Sequence, residues 1–275
     1  MLTNPNLDKP KFEVICTTYN EEIDQLYEFC FKEIKSIKDV CYPIRFTIVF
    51  EYSEREKCIE LKKRIKNIFM DDLFSCIYNT RSSGFPACLN FGIINSNADY
   101  IIRIDTDDSS INDRYKVQTE LAARTQTNLS YSYMISLEED RIMKYPSNKF
   151  AHLYLFLGLS PIAHVTICIK KDIFYKIGFY DEDLKRCEDI DFWLRYFFKY
   201  KFKSSVLIKK PLVKYRTISA LQKSKENGLA QIIIRSKYLK YLIFIPFLFI
   251  GIFPNLLRCI LPKSFLNLYR KYQQF

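Results

Sequence analysis

YIIRIDTDDS, residues 100–109, sets three carboxylates, Asp105, Asp107 and Asp108, behind a run of apolar and β-branched side chains. A buried strand that carries acids out at its C-terminal end reads this way. Carboxylates so close together repel one another and call for a compensating cation. A hard divalent ion serves, because Mg²⁺ prefers one or two carboxylates plus substrate phosphates to an all-protein cage. The plainer alternative is a solvated acidic turn in which Asp108 or Ser110 caps a helix over 112–124. Position separates the two, since the triplet closes the fourth strand of an alternating β/α series.

That series begins at FEVICT, 12–17, an apolar strand that runs into Thr17-Thr18-Tyr19-Asn20 and an amphipathic helix over 21–37. A second strand, 44–50, closes on Glu51-Tyr52-Ser53 before a charged helix at 54–70, and a third, 73–78, leads through Arg81 and Gly84 to a helix at 86–94. Ligands of doubly wound sheets sit at the carboxyl ends of the parallel strands. Thr18 and Asn20 can face such a ligand or cap the helix that follows. Tyr19 can stack on a base or simply pack. Gly84 permits a left-handed or strained turn and Pro86 suits a first helical turn, but neither GxxxxGK[ST] nor GxGxxG occurs, so no glycine cradle holds a phosphate.

After the triplet the alternation ends. A strand is expected at 129–136, a charged loop at 138–147, an apolar and aromatic stretch at 150–160, and a strand at 165–169 preceded by His164. A lone histidine beside a strand is either a satisfied structural residue or, between two acidic clusters, a functional one. A short helix at 171–177 ends at Gly178. Cys187-Glu188-Asp189-Ile190-Asp191-Phe192-Trp193-Leu194-Arg195 then opens a helix with one buried face at 190, 193, 194, 197 and 198. Acids in a first turn are explained by the helix dipole alone. Residues two apart on a helix point about 200° apart, so Asp189 and Asp191 cannot both face one substrate. Asp191 has Arg195 at i+4 as a partner, which leaves Asp189 as the better candidate base.

The chain of 275 residues has 48% hydrophobic and 16% aromatic residues, enough for a full core and against disorder. Nine cysteines without CxxC spacing read as reduced, buried thiols, and two histidines exclude a His-rich metal site. From Lys199 onward sixteen Lys and Arg face one acid, Glu226, a net +15 that leaves −4 for residues 1–198. A nucleic-acid binder would spread its charge over a recognition face, whereas a basic tail beside an apolar segment suits an anionic membrane surface. Residues 241–257 carry no charge but are broken by Pro246, Gly251 and Pro254. They are short for a spanning helix, which needs about 20 apolar residues, so an interfacial or re-entrant segment is expected, the alternatives being a full span and a helix on the domain's own core. No signal peptide opens the chain, and the expected location is the cytoplasmic face of the cell membrane. The expected division is a domain at 1–218, a linker and helix at 219–235 that includes a polar stretch at 219–228, a helix from 229 to 241, and a membrane-associating tail at 236–275.

With these residues in view, the chain resembles family 2 glycosyltransferases of the GT-A fold, of the kind that build bacterial capsule, exopolysaccharide or O-antigen. The resemblance spans about residues 12–216. It rests on the opening Thr-Tyr-Asn-Glu, on GFPACLNFG at 84–92, on RIDTDDSSINDRYKVQ at 103–118, on His164 before a strand, and on CEDIDFWLR at 187–195, all in the family's order. It implies a Rossmann-like, mostly parallel sheet flanked by helices. Thr17 and Tyr19 would line the base and ribose pocket, Asp105 would contact the nucleoside, and Asn90 and Arg81 would lie near the nucleotide. Asp107, with His164 as a further candidate, would hold Mn²⁺ or Mg²⁺ on the diphosphate. Asp189 would take the acceptor proton, with Glu188 helping to position the acceptor.

Two departures stand out. Where the family has an acid as in V-D-D-G-S, this chain has Phe50-Glu51-Tyr52-Ser53, so the resemblance implies that Glu51, a longer side chain one position off, would stand in for the usual contact to the base. Cys187 stands where the family has Gly. The implied activity is transfer of sugar from a nucleotide-diphosphate sugar, a UDP-sugar by expectation, to a lipid-linked saccharide. The rivals are a sugar-nucleotide nucleotidyltransferase, whose glycine-rich basic signature is missing, and a non-catalytic membrane-tethered subunit. No nucleic acid is expected as partner.

Overall fold

Strand β1 (Phe12–Thr17) is buried along its whole length, and its side chains divide between two cores. Val14 and Cys16 enter one apolar cluster, while Ile15 enters the other across the sheet. Glu13, trapped on the Ile15 side, is satisfied by the hydroxyls of Thr47 and Ser96. In this computed structural model residues 9–69, 72–216 and 224–238 are described, together with 252, 253, 255, 256 and 259.

β1 pairs in parallel with β2 (Ile44–Phe50) and β4 (Tyr100–Arg103), and β2 in parallel with β3 (Phe74–Tyr78). Parallel neighbours need crossovers. These are α1 (Ile23–Ile37), α2 (Arg55–Lys66) and α3 (Phe85–Asn95). α1 presents Leu26, Cys30, Ile34 and Ile37 to the Val14 face, whereas α3 covers the Ile15 face with Cys88, Leu89 and Ile93. α3 lies so close to the sheet that a Cβ at Gly92 would come within 2.9 Å of Val49 and 3.0 Å of Ile15. Only glycine fits there.

The second half is mixed in direction. It contains β5 (Ser109–Ser110), α4 (Arg114–Thr125), β6 (Leu129–Ser136), β7 (Ile142–Met143), α5 (Ala151–Phe156), β8 (Cys168–Lys170), α6 (Asp172–Ile177), α7 (Glu188–Tyr200), β9 (Ser205–Tyr215) and α8 (Ser224–Lys237). The described sheet has nine strands in the order β3-β2-β1-β4-β8-β6-β9-β5, with β7 paired to β6. β8 runs antiparallel to β4 and β6, while β9 runs parallel to β6 through a bulge near Tyr133. The β9 end also pairs with β5, which returns the chain to the acidic loop.

Boundaries moved where local hydrogen bonds compete with the expected element. The strand expected at 165–169 pairs only from Cys168, because His164–Thr166 is a 3-10 turn closed on the Ala163 carbonyl by both the Thr166 amide and its hydroxyl. β9 begins at Ser205, five residues ahead of the strand that the apolar pattern at 210–216 suggests, because exposed Lys209 and Lys210 hide the alternation. Part of the polar linker at 219–228 is helical, since α8 starts at Ser224. α8 docks on α7, with Tyr238 stacked on Phe198 at 5.5 Å and its hydroxyl donating to Asp191 at 2.7 Å. Most of the apolar stretch at 241–257 lies outside the described residues. Among those described, no helix is long and apolar enough to cross a membrane.

Candidate active site

β4 delivers a buried cation as well as the acids. Arg103 is 2% exposed, its guanidinium paired with Asp105 at 2.5 Å and lying 5.0 Å from the centre of the Phe85 ring. Part of the compensation sought for the acidic triplet is therefore built into the chain. The three acids then diverge in environment. Asp105 is half-buried on Arg103, Asp107 is exposed, and Asp108 is 3% exposed. One Asp108 oxygen accepts from the Arg216 amide at 3.1 Å, and the other has no partner among the described residues. Burial, then the charges of Asp105 and Asp107, push Asp108 up to about 9. Asp107 is also raised, by desolvation and by Asp105.

The loop is held from below. Glu33 of α1, fully buried, accepts from the Ser110 amide at 3.0 Å and from the Tyr115 hydroxyl. Arg114 donates to the carbonyls of Arg103 and Val165 and to Gln118, while Gln118 donates to the Thr166 carbonyl at 2.8 Å. The Arg and Gln of the 103–118 stretch thus tie the acidic loop to the turn that carries His164.

The β1 loop supplies the opposite lip. Thr17 is 6% exposed, and its hydroxyl has no partner among the described residues, an unusual state for a buried polar atom. Tyr19 stands in solvent at 66% exposure. Thr18 is not an N-cap, since its hydroxyl donates to Glu21 at 2.6 Å and α1 has no side-chain cap. Glu51 accepts from the Gly84 amide at 2.7 Å, and this fixes the turn at which Gly84 takes φ +104°. Arg81 is exposed, its amide donating to the Asn79 side chain.

Two expected site residues are committed elsewhere. Asn90 is buried, and its amide both donates to the Tyr180 carbonyl and accepts from the Tyr180 amide, with a further bond to Glu182. It fastens the 180–182 segment. The His164 Nε2 sits 2.6 Å from the Tyr180 hydroxyl, and burial together with the Arg103 charge holds the ring well below its usual pKa. A metal ion at His164 would have to take Nε2 from the Tyr180 hydroxyl.

The N-terminus of α7 closes the site. Asp191 points inward, paired with Arg195 at 2.8 Å and with Tyr238, while Arg195 also caps the carbonyls of Ile177, Gly178 and Phe179. Asp189, on another face, is raised to about 6 by burial, and backbone N–H groups pull it back. Glu188 is raised to about 8 by burial and by Asp189, with Asp105 adding to the push and Arg103 opposing it. The Tyr215 hydroxyl is raised by burial and then by Asp108, Asp105, Asp107 and Asp189 together. Acids about eighty positions apart are therefore within electrostatic reach of one another. Tyr145 and Tyr215 lie close enough to feel both clusters, unannounced by any periodicity.

The family model for glycosyl transferase family 2 matches residues 13–178. The chain belongs to glycosyl transferase family 2. The matched span holds the β1 loop and the acidic loop and stops before Glu188. An uncharacterized glycosyltransferase of Methanocaldococcus jannaschii is 28% identical over 218 residues, covering 76% of this chain and 72% of that protein. Among solved structures, the mannosyltransferase PcManGT of Pyrobaculum calidifontis, in complex with GDP-Man and Mn²⁺, aligns at TM-score 0.62 and 14% identity over 97% of this chain and 76% of its own. S. aureus TarS 1-349 in complex with UDP-GlcNAc aligns at 0.57 and 16% identity, over 83% of this chain and 66% of that one. These likenesses establish the GT-A fold of the family member described here.

Proposed function

We propose that this family 2 member is an inverting, metal-dependent hexosyltransferase that moves a sugar from a nucleotide-diphosphate sugar, a UDP-sugar by preference, to a hydroxyl of a lipid-linked oligosaccharide in surface polysaccharide synthesis. The observation that carries the reading is the division of the α7 acids: Asp191 is taken up by Arg195 and Tyr238, which leaves Asp189, on another face, as the base. Burial raises both Asp189 and Glu188, and the Asp189 charge raises Glu188 further, so Glu188 would sit beside the base to position the acceptor.

Thr17 offers its unpartnered hydroxyl to the nucleoside, with Tyr19 and Arg81 at the rim and Glu51 behind them. Asp105 is oriented by Arg103 and Asp107 is free to bind. Among the described residues no three His, Cys, Asp or Glu side chains converge to hold an ion. Exposed Asp107, with Asp105 two residues before it, is the donor set for an ion that takes one or two carboxylates and fills its shell with phosphate oxygens and water. Asp107 and Asp105 would hold Mn²⁺ or Mg²⁺ there, and the ion would supply charge stabilisation to a departing diphosphate. Asp189 draws the proton from the acceptor hydroxyl as its oxygen attacks the anomeric carbon on the face opposite the leaving group, which inverts the configuration.

The test is a panel of UDP- and GDP-sugars with and without Mn²⁺, read as release of nucleoside diphosphate in the presence of lipid-linked acceptors. Metal-stimulated release is expected. Release of pyrophosphate instead, or none with any donor, overturns the reading. The lipid-linked acceptor rests on the basic, apolar tail, which would lie on the cytoplasmic face of the cell membrane as a peripheral or monotopic segment. Deleting 236–275 is expected to move the protein from the membrane fraction to the soluble one, and membrane retention by the truncated chain removes that support.

A further inference from the structure

Between the two lips of the crevice stands a carboxylate that neither the fold nor the proposed chemistry has used. Glu21 lies in the loop between β1 and α1. One of its oxygens accepts from the Thr18 hydroxyl at 2.6 Å and from the Tyr19 amide at 2.5 Å. The other accepts from the hydroxyl of Thr106, 85 residues away and set between Asp105 and Asp107. Its own backbone is pinned too, because the Lys57 ammonium donates to the Glu21 carbonyl at 2.9 Å and to Glu54 at 3.1 Å. Glu54 in turn accepts from the amide of Asn20, which takes a left-handed φ of 63°.

A carboxylate placed near Asp105 and Asp107 is costly, since like charges repel, and Glu21 is among the groups that raise Asp107. If the role were only to end β1 and start α1, a neutral cap would serve better. What the carboxylate does instead is accept three hydrogen bonds from two loops at once, and charge-assisted bonds of this kind are about twice as strong as neutral ones. We propose that Glu21 is a positioning residue: it clamps the β1 loop to the acidic loop, setting the distance between the nucleoside lip and the acids that face the diphosphate. The clamp itself stands on the geometry above, and its consequence for ligand binding rests on the proposed nucleotide site.

Two substitutions separate geometry from charge. Glu21→Gln keeps an acceptor for Thr18 and Tyr19 and an amide that can donate to the Thr106 hydroxyl. Glu21→Ala keeps neither. Hydrogen exchange of the protein without ligand reads the clamp directly: Glu21→Ala speeds exchange at the Tyr19 and Asp108 amides, and Glu21→Gln restores slow exchange. Calorimetric titration with UDP and with GDP in Mn²⁺ reads the consequence. Glu21→Ala weakens the nucleotide about tenfold or more, Glu21→Gln stays near wild type, and adding Thr106→Val to Glu21→Ala costs nothing further. Unchanged exchange in Glu21→Ala overturns the clamp whether or not nucleotide binds. Additive losses in the double variant, or Gln behaving as Ala, overturn the positioning role. A wild-type protein that binds neither nucleotide counts against the nucleotide site instead, and the exchange result then decides the clamp alone.

Discussion

Asp189→Asn is expected to lower turnover by roughly 10² to 10⁴-fold, the usual worth of general-base help, while nucleotide affinity stays close to wild type. Asn keeps the shape of the side chain and its place at the N-terminus of α7, and the groups proposed to face the nucleotide, Thr17, Asp105 and Asp107, lie on other elements. The pH dependence follows from the same group. Burial raises Asp189 to about 6, and the active form is the ionised one, so kcat/KM of the native enzyme rises as pH climbs through about 6. The residual rate of the variant lacks that limb.

Stability runs the other way. The folded pKa lies above the unfolded value of about 3.9, so the folded state holds this proton more tightly. The stabilising contribution is complete below the unfolded value and is lost as pH rises through about 6. Asparagine is neutral throughout and escapes the loss, so the variant melts no lower than wild type at neutral pH. Loss of activity with an undiminished Tm identifies chemistry, and a collapsed Tm identifies misfolding. Glu188→Gln preserves a neutral donor next to the base and keeps most of the turnover at neutral pH. Wild-type turnover in Asp189→Asn ends the assignment.

The first half of the fold was legible because two periodicities coincide there. β1 and β2 have the bounds that apolar runs suggest, and α1 shows its buried stripe through Leu26, Cys30, Ile34 and Ile37. The angular argument for α7 also reads directly, since the Asp191–Arg195 pair at 2.8 Å follows from i,i+4 spacing alone. What sequence did not expose were commitments made across the chain. The Asn90 motif gives no sign that the Tyr180 backbone, ninety positions later, uses both ends of its amide. His164 likewise gives no sign in sequence of the Tyr180 hydroxyl at 2.6 Å. Arg103 stands within the acidic-loop motif, yet its burial depends on Phe85 and on sheet neighbours that no local pattern encodes. Long-range partners decide whether a polar side chain is free to act, and single-chain spacing carries little about them.

Asp107→Asn supplies the second large effect. The variant is expected to lose Mn²⁺-stimulated turnover by roughly 10²-fold or more, the equivalent of several kcal/mol of charge stabilisation, and to lose the thermal shift that Mn²⁺ with nucleoside diphosphate gives the wild type. Its unliganded Tm should hold or rise. Asp107 is exposed and repelled by Asp105, so neutralising it relieves that repulsion. Asp105→Asn makes the instructive contrast. It strips the charge partner from Arg103, a guanidinium 2% exposed whose Nε already lacks a partner among the described residues, and breaking such a pair is strongly destabilising. The two substitutions remove the same charge two residues apart, yet Asp105→Asn should melt earlier without ligand while Asp107→Asn should not. An Asp107→Asn protein that keeps full metal-stimulated turnover would transfer the ion to other ligands, and equal melting of both variants would remove the division of labour between a carboxylate held by arginine and one left open to solvent.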